Sequence, residues 1–228
     1  MASTNWTALT GALGSGDAAI GVTEGATPPN GGGTFVYGAR SKTATEGVIG
    51  FYHNGANFTP QTSGGHVYGA ITRNAGDNGN SPVLFQSLQS TLVSSSGYLL
   101  GLTDDTEPAN IILKKGAMSD GMASNDSGIL RTSTASFAKG SWLHLRLDVI
   151  EQPSGDVRLR VFANDLSSNA VTSPSWAAIT GMADFIDDAL GVNSGSVPYI
   201  GGYAGFGGYF NGINRVLYFD HMEIARQV

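Results

Sequence analysis

Two neighbouring segments constrain this chain more than anything else in it. Leu143, Leu145, Leu147 and Val149 alternate with His144, Arg146 and Asp148. A few residues later Val157, Leu159 and Val161 alternate with Asp156, Arg158 and Arg160. A period of two marks a strand with one buried and one solvated face. Between them Glu151-Gln152-Pro153-Ser154-Gly155 is a turn by composition. The apolar faces must coincide, because a slip of one residue would turn a row of leucines to water. The simplest register that satisfies this sets Leu147 opposite Leu159, Val149 opposite Val157 and Asp148 opposite Arg158. A buried apolar side chain contributes about 1.5–3 kcal/mol and a solvated cross-strand charge pair at most about 1, so the leucine face decides.

Elsewhere the chain is a series of short apolar runs cut by glycine. The 33 glycines among 228 residues are dispersed, which suits many tight turns. Strand-length runs fall at residues 35–38, 47–52, 83–88, 98–102, 111–113, 201–208 and 216–224. Tyr52-His53-Asn54-Gly55 carries an Asn-Gly hairpin signal. Residues 59–82 are rich in Gly, Asn, Ser and Thr and interrupt one short run, 67–71, so a mobile hairpin or surface loop is expected there. Met182, Phe185, Ile186 and Leu190 fall at helical spacing, which predicts a short helix over 182–190. Residues 1–33 read as an extended N-terminal arm anchored by Trp6, Leu9 and Leu13, ended by the break Pro28-Pro29-Asn30-Gly31-Gly32-Gly33. Residues 34–228 then form a single domain. Roughly ten to fourteen short strands and one small helix fit only an antiparallel sandwich or barrel. No repeat of 20–50 residues points to a solenoid or propeller.

Composition narrows the function. Hydrophobic residues are 41% and charged residues 13%, the balance of a folded chain. The net charge is −6 and only Lys114-Lys115 are adjacent bases, so neither nucleic acid nor an anionic membrane is an expected partner. The absence of cysteine excludes disulfides, thiolate nucleophiles and cysteine zinc sites. Met1-Ala2-Ser3-Thr4-Asn5-Trp6 starts no basic-then-apolar signal, so synthesis and folding in a cytoplasm are expected.

Gly140-Ser141-Trp142-Leu143-His144-Leu145-Arg146-Leu147-Asp148-Val149, followed by Gly155-Asp156-Val157-Arg158-Leu159, resembles the tryptophan-plus-hairpin segment of concanavalin-like and laminin-G-like jelly rolls. Tyr218-Phe219-Asp220-His221-Met222-Glu223-Ile224 looks like the final strand of that superfamily, which returns beside the first. The resemblance implies an all-β, antiparallel jelly-roll-like sandwich and no particular activity. Gly21-Val22-Thr23-Glu24-Gly25, Pro28-Pro29-Asn30-Gly31-Gly32, Ile112-Leu113-Lys114-Lys115-Gly116 and Phe185-Ile186-Asp187-Asp188-Ala189-Leu190-Gly191 resemble a group of tailed-bacteriophage virion proteins. That resemblance implies a structural protein of the particle, in capsid decoration or at the tail, made in host cytoplasm without a signal peptide.

Catalytic strings are missing. The Glu-x-Asp-x-x-Glu strand of glucanases and the Gly-x-Ser-x-Gly elbow do not occur. Gly205-x-Gly207-Gly208 lacks the spacing and lysine of a phosphate loop. Asp184, Asp187 and Asp188 read as the solvated face of the predicted helix. His53, His66, His144 and His221 are far apart in sequence, yet His144 and His221 each fall on the polar side of a strand and can meet across a sheet. They read as half-exposed strand histidines, with Asp148 or Asp220 the only third ligands to guess at. Asp104-Asp105-Thr106-Glu107 and Asp120 with Asn125-Asp126 do not match a calcium loop. No catalytic residue, metal or cofactor is therefore expected. Tyr199, Tyr203, Tyr209 and Phe210, with Trp176, are the candidate glycan- or partner-binding surface; core packing, with glycine making room for rings, is the competing reading. The expectation is a non-enzymatic virion protein that docks to other virion subunits, forms a homo-oligomer and touches host surface glycans. The alternative is a free lectin-like carbohydrate-binding module. A glycan-cleaving enzyme would need a carboxylate pair about 5–9.5 Å apart.

Overall fold

The computed structural model describes residues 6–9, 11, 18–22, 27–32, 37–41, 46–53, 65–73, 79–138, 140–188, 197–212 and 216–226. Fifteen strands lie among them: β1 Trp6–Ala8, β2 Ala18–Val22, β3 Tyr37–Ser41, β4 Glu46–His53, β5 Gly65–Arg73, β6 Asn80–Leu88, β7 Ser96–Leu102, β8 Ala109–Ala117, β9 Ile129–Phe137, β10 Leu143–Glu151, β11 Val157–Asn164, β12 Trp176–Ala178, β13 Phe185–Asp187, β14 Tyr203–Asn211 and β15 Val216–Arg226. Seven form one sheet in the order β1-β4-β14-β6-β7-β8-β9. Eight form the other, in the order β12-β11-β10-β5-β15-β3-β2, with β13 also on β11. Every pairing is antiparallel. No helix among the described residues is long and apolar enough to cross a membrane.

Alternation places the core. Leu145, Leu147, Val149, Leu159 and Val161 of the eight-stranded sheet are fully buried against Leu84, Leu100, Ile111, Leu113 and Phe206 of the seven-stranded sheet. The β10–β11 hairpin keeps the expected faces but not the expected register. Leu147 lies opposite Val161, Val149 opposite Leu159 and Asp148 opposite Arg160, two residues away from the sequence-based pairing. A period of two cannot distinguish shifts of two, because both bury the same side chains. The turn chooses. Gln152 N–H donates to Asp156 O and Gly155 N–H to Gln152 O, both at 2.9 Å, with Gly155 at φ +90°. This compact loop lets pairing run on to Glu151 and Val157.

Three further expectations change. The segment 67–71 is no surface loop: β5 sits between β10 and β15, and Val67 and Ile71 are fully buried. Its polar flanks at 54–64 and 74–78, with the Asn54-Gly55 turn, lie outside the described residues. Residues 182–188, the described part of the predicted 182–190 helix, form no helix. Met182 N–H closes a turn on Ile179 O, and Phe185–Asp187 pairs with Val157–Leu159. Nine residues with four apolar positions make a poor helix nucleus, while β11 offers an open edge. Residues 1–33 contribute strands to both sheets. Trp6 packs edge-on against Phe206 at 4.8 Å, and Leu9 is buried; Leu13 lies outside the described residues. The closing strand β15 runs beside β3, the first strand after that segment, and β5.

The outer face of the seven-stranded sheet is also dry. Leu9, Val83, Phe85, Leu88, Leu99, Ile112, Met118 and Met122 form a second core there. Burial on both sides explains why β6 is buried at every position. The glycine-aromatic alternation of β14 follows from the same crowding: a Cβ on Gly205 would sit 1.9 Å from Phe51 O, and on Gly207 2.2 Å from Ile49 O. The outer face of the eight-stranded sheet is left to carry polar side chains. Leu147→Ala should lower unfolding free energy by about 2–5 kcal/mol, read from urea denaturation. A loss below about 1 kcal/mol would contradict the packing described.

Candidate functional site

Strand register lays out the outer face of the eight-stranded sheet as rows. One row holds Trp176, Asn164, His144, Ala70 and Asp220. The next holds Ala178, Phe162, Arg146, Tyr68 and Glu223, and a third holds Arg160, Asp148, His66 and Ala225. Rows lie about 6.6 Å apart and neighbouring strands about 4.8 Å. A bulge in β15 between Asp220 and Glu223 adds His221 to this face. His221 has φ +49°, and its ring approaches Tyr68 at 6.3 Å and His144 at 6.2 Å. The next residue, Met222, turns inward over Gly69, where a Cβ would lie 2.2 Å from its sulfur.

The rings form one cluster. Trp176 lies 4.7 Å from His144 and 5.3 Å from Tyr68, and Tyr68 lies 5.8 Å from His144. His66 stacks on Tyr68 at 5.8 Å with an interplanar angle of 23°. Tyr68 hydroxyl donates to Glu223, and burial together with that carboxylate pushes the phenol up. Trp176, Tyr68, His66 and His221 are half-buried, whereas His144 is 1% exposed. Asn164 orients His144. Ser175 N–H donates to Asn164 Oδ1 at 2.9 Å, which turns Asn164 Nδ2 toward His144 Nδ1 at 3.1 Å. Nδ1 must then accept, which assigns the ring proton of a neutral imidazole to Nε2. Burial, with a smaller contribution from His221, lowers the His144 pKa to about 4. The imidazole is neutral at pH 7.

Two chain segments wall one end of the cluster. Trp142 Nε1–H donates to Thr27 O at 2.9 Å, Val171 N–H to Asn30 O at 2.8 Å and Asn30 Nδ2 to Leu166 O at 3.1 Å. Gly32 is pressed against Asp220. The Pro-Pro-Asn-Gly-Gly break thus braces the 165–175 loop. A groove of about 440 Å³ opens at the same end; His144 and Asn164 line it with Trp142, Leu166, Ala177 and Ile179.

Of the sequence-selected aromatics, only Trp176 belongs to this cluster. Tyr199 lies elsewhere, its N–H donating to Tyr98 hydroxyl at 3.0 Å and its ring 5.2 Å from Lys115 Nζ. Tyr203 packs edge-on against Tyr52 at 5.1 Å, and Tyr209 lies against the second core. Phe210 is fully buried in the main core, so it packs and presents no face. The period of two in β14 sends these rings to opposite sides of the sheet. His144 and His221 do meet, but His144 is buried where half-exposure was expected. Tyr68 and Asn164 escaped the sequence reading, and His66 entered it only as one of four histidines. The alternation of His66, Tyr68 and Ala70 with Val67, Gly69 and Ile71 was the signal for β5, and the polar flanks hid it.

The acidic groups have other partners. Arg146 forks onto Asp148 at 2.6 and 3.1 Å, and Asp220 Oδ1 accepts His221 N–H at 2.7 Å. Asp187 is no helix-face carboxylate: it is buried, paired with Lys115 at 2.7 Å and hydrogen-bonded by Tyr98 hydroxyl at 2.6 Å. Asp184 pairs with Arg158. In the turns considered for calcium, Asp104 accepts Met122 N–H at 2.8 Å and Asp105 accepts Ser124 N–H at 2.8 Å. Asp126 pairs with the buried ammonium of Lys114, which also donates to Gly121 O at 2.8 Å. No group of three or more metal-ligating side chains occurs among the described residues.

No family model matches the chain, and no curated protein matches it. Solved structures do. One is the Emp46p carbohydrate recognition domain in its potassium-bound form, with TM-score 0.54, 8% identity and coverage of 99% of this chain and 90% of that one. Another is described as an endo-acting O-glycanase of prominent human gut microbiota that initiates mucin breakdown, with TM-score 0.50, 8% identity and coverage of 100% and 94%. At such identity the likeness establishes the fold: a concanavalin- or lectin-like jelly roll.

The unfolded chain protonates His144 near its ordinary value of 6.5, while the folded chain resists protonation down to about 4. Stability should therefore fall as pH drops through this window, by roughly 3 kcal/mol at most from this group. His66 and His53, also lowered by burial, act in the same direction. Urea midpoints measured from pH 7 to 4 should fall less steeply in His144→Gln than in the parent. Parallel slopes would rule out a neutral buried His144.

Proposed function

We propose that the chain is a non-catalytic, lectin-like glycan-binding module that contacts sugar on the outer face of its eight-stranded sheet. The observation that carries this reading is the pair of half-buried rings, Trp176 and Tyr68, 5.3 Å apart on a face that also carries His66, His221, Asn164, Arg146 and Glu223. Aromatic faces cover the apolar C–H face of a pyranose, while Tyr68 hydroxyl, Glu223 and His221 offer donors and acceptors at the ring edges. The shared fold of a carbohydrate recognition domain supports the same reading. Binding without cleavage is supported by the engagement of the flanking carboxylates, Asp148 by Arg146 and Glu223 by Tyr68.

Titration calorimetry of the chain against a panel of bacterial surface and plant polysaccharides should find saturable binding. Trp176→Ala should weaken it at least about tenfold, the loss expected for one well-packed aromatic contact. Tyr199→Ala and Tyr203→Ala, away from the cluster, should bind as the parent does. Equal binding by Trp176→Ala, or silence across the panel, defeats the reading.

A place on a tailed-phage particle, with other virion subunits as partners and a homo-oligomeric assembly, is the second reading. The motifs at 21–25, 28–32, 112–116 and 185–191 favour it. It is compatible with glycan binding, since a particle surface meets host glycans. Probing purified particles for this chain tests it, and absence from them removes it.

A further inference from the structure

We infer that the glycan is acidic, carrying carboxylate or sulfate groups, and that Arg160 is the side chain that meets them. This rests on the glycan-binding reading above and adds the class of sugar. Three arginines stand on the outer face of the β10–β11 hairpin: Arg146, Arg158 and Arg160. Two of them are neutralised. Arg146 forks onto Asp148, and Arg158 forks onto Asp184 at 2.7 and 2.5 Å. Arg160 has no carboxylate within ion-pair distance among the described residues. Its cross-strand neighbour Asp148 is already held by Arg146. Of the three guanidiniums on the hairpin, Arg160 is the one without a carboxylate fork among the described residues; Asp184, already held by Arg158, acts on it only at longer range.

Arg160 is also held in place. Its guanidinium lies 4.9 Å from the centre of the Phe162 ring, and that of Arg146 lies 5.6 Å from the same ring. Stacking on an aromatic fixes the guanidinium plane but leaves its N–H edge available, the geometry that receives a carboxylate or sulfate in two parallel hydrogen bonds. Arg160 and Phe162 are both half-buried, so the charge is less screened than on an open surface. The position suits a chain-like ligand. Arg160 is one row from Tyr68 and two rows from Trp176, about 7 and 13 Å along the strands. A saccharide stacked on the rings extends its next units over Phe162 toward Arg160. The chain as a whole carries net charge −6, and Glu223 and Asp220 lie on the β15 side of the same face, so the unforked positive charge is confined to its β11 end.

The test compares polymers that share a backbone and differ in charge. Polygalacturonate is set against its methyl ester, and dextran sulfate against dextran, by titration calorimetry with the full chain. Tighter binding of either charged member than its neutral counterpart is expected, and the pair that responds identifies carboxylate or sulfate as the group read. Arg160→Gln should weaken the charged ligand about tenfold and leave neutral ligands unchanged, as for loss of one charge-assisted contact. Raising salt from about 0.05 to 0.5 M should shrink the parent's preference toward that of the variant. Circular dichroism confirms that Arg160→Gln folds, and Arg160→Lys, which keeps charge but loses the planar fork, should fall between the two. Charged and neutral members binding alike through Trp176 would overturn this inference and spare the glycan reading. An unchanged preference in Arg160→Gln would overturn it as well. Absence of binding by all four polymers and by the wider panel would remove both.

Discussion

The layer of leucine, valine and phenylalanine between the two sheets sets the direction of every side chain discussed above. Because Leu145, Leu147, Leu159 and Val161 must be dry, His144, Arg146, Asp148, Arg160 and Phe162 must face outward. The same rule applied to β5 buries Val67 and Ile71 and turns out His66 and Tyr68. The two sheets then diverge. The seven-stranded sheet is covered a second time over its central strands, by Leu9, Met118, Met122 and their neighbours, so β6 is buried on both faces. The eight-stranded sheet is covered once. Its free face is where the chain can display chemistry, and the aromatic cluster lies there.

That cluster is rigid for reasons internal to it. Asn164 satisfies Nδ1 of His144, while its Nε2–H is enclosed by rings without a hydrogen-bond partner among the described residues. Asn164 is itself fixed by Ser175, and the 165–175 loop is tied to Asn30 by one backbone hydrogen bond and one from the Asn30 side-chain amide. Tyr68 is clamped by Glu223, and Phe162 lies between two guanidiniums. Side chains ordered before a ligand arrives lose little entropy when it does. On the proposed reading, that prior order favours a flat, partly apolar ligand with polar edges.

Much of the architecture was legible in the order of residues. The alternation in β10 and β11 named the right buried faces. What failed did so for identifiable reasons. The hairpin register was wrong by two because a period of two is blind to that shift, and the compact turn at Gln152–Asp156 decided it. The 182–190 helix failed because helical spacing over so short a span also fits a turn followed by a three-residue strand. β5 was hidden by its polar flanks. Nearness in sequence grouped Tyr203, Tyr209 and Phe210, and β14 divides them: Phe210 lies in the main core, Tyr203 and Tyr209 against the second.

By itself the sequence determined that this chain must form short antiparallel strands around a dry layer, since local alternation and turn chemistry are encoded residue by residue. It also determined which side chain of each alternating pair is polar. Tertiary structure alone decided which strands became neighbours. Tyr68, His144, Trp176 and His221 come from four strands, and Tyr68 meets Glu223 155 positions further along the chain. No local signal measures that distance, because pairing among distant strands is selected by burial summed over the whole sandwich. The bulge at His221 and the space above Gly69 complete the cluster only once β15 lies beside β5.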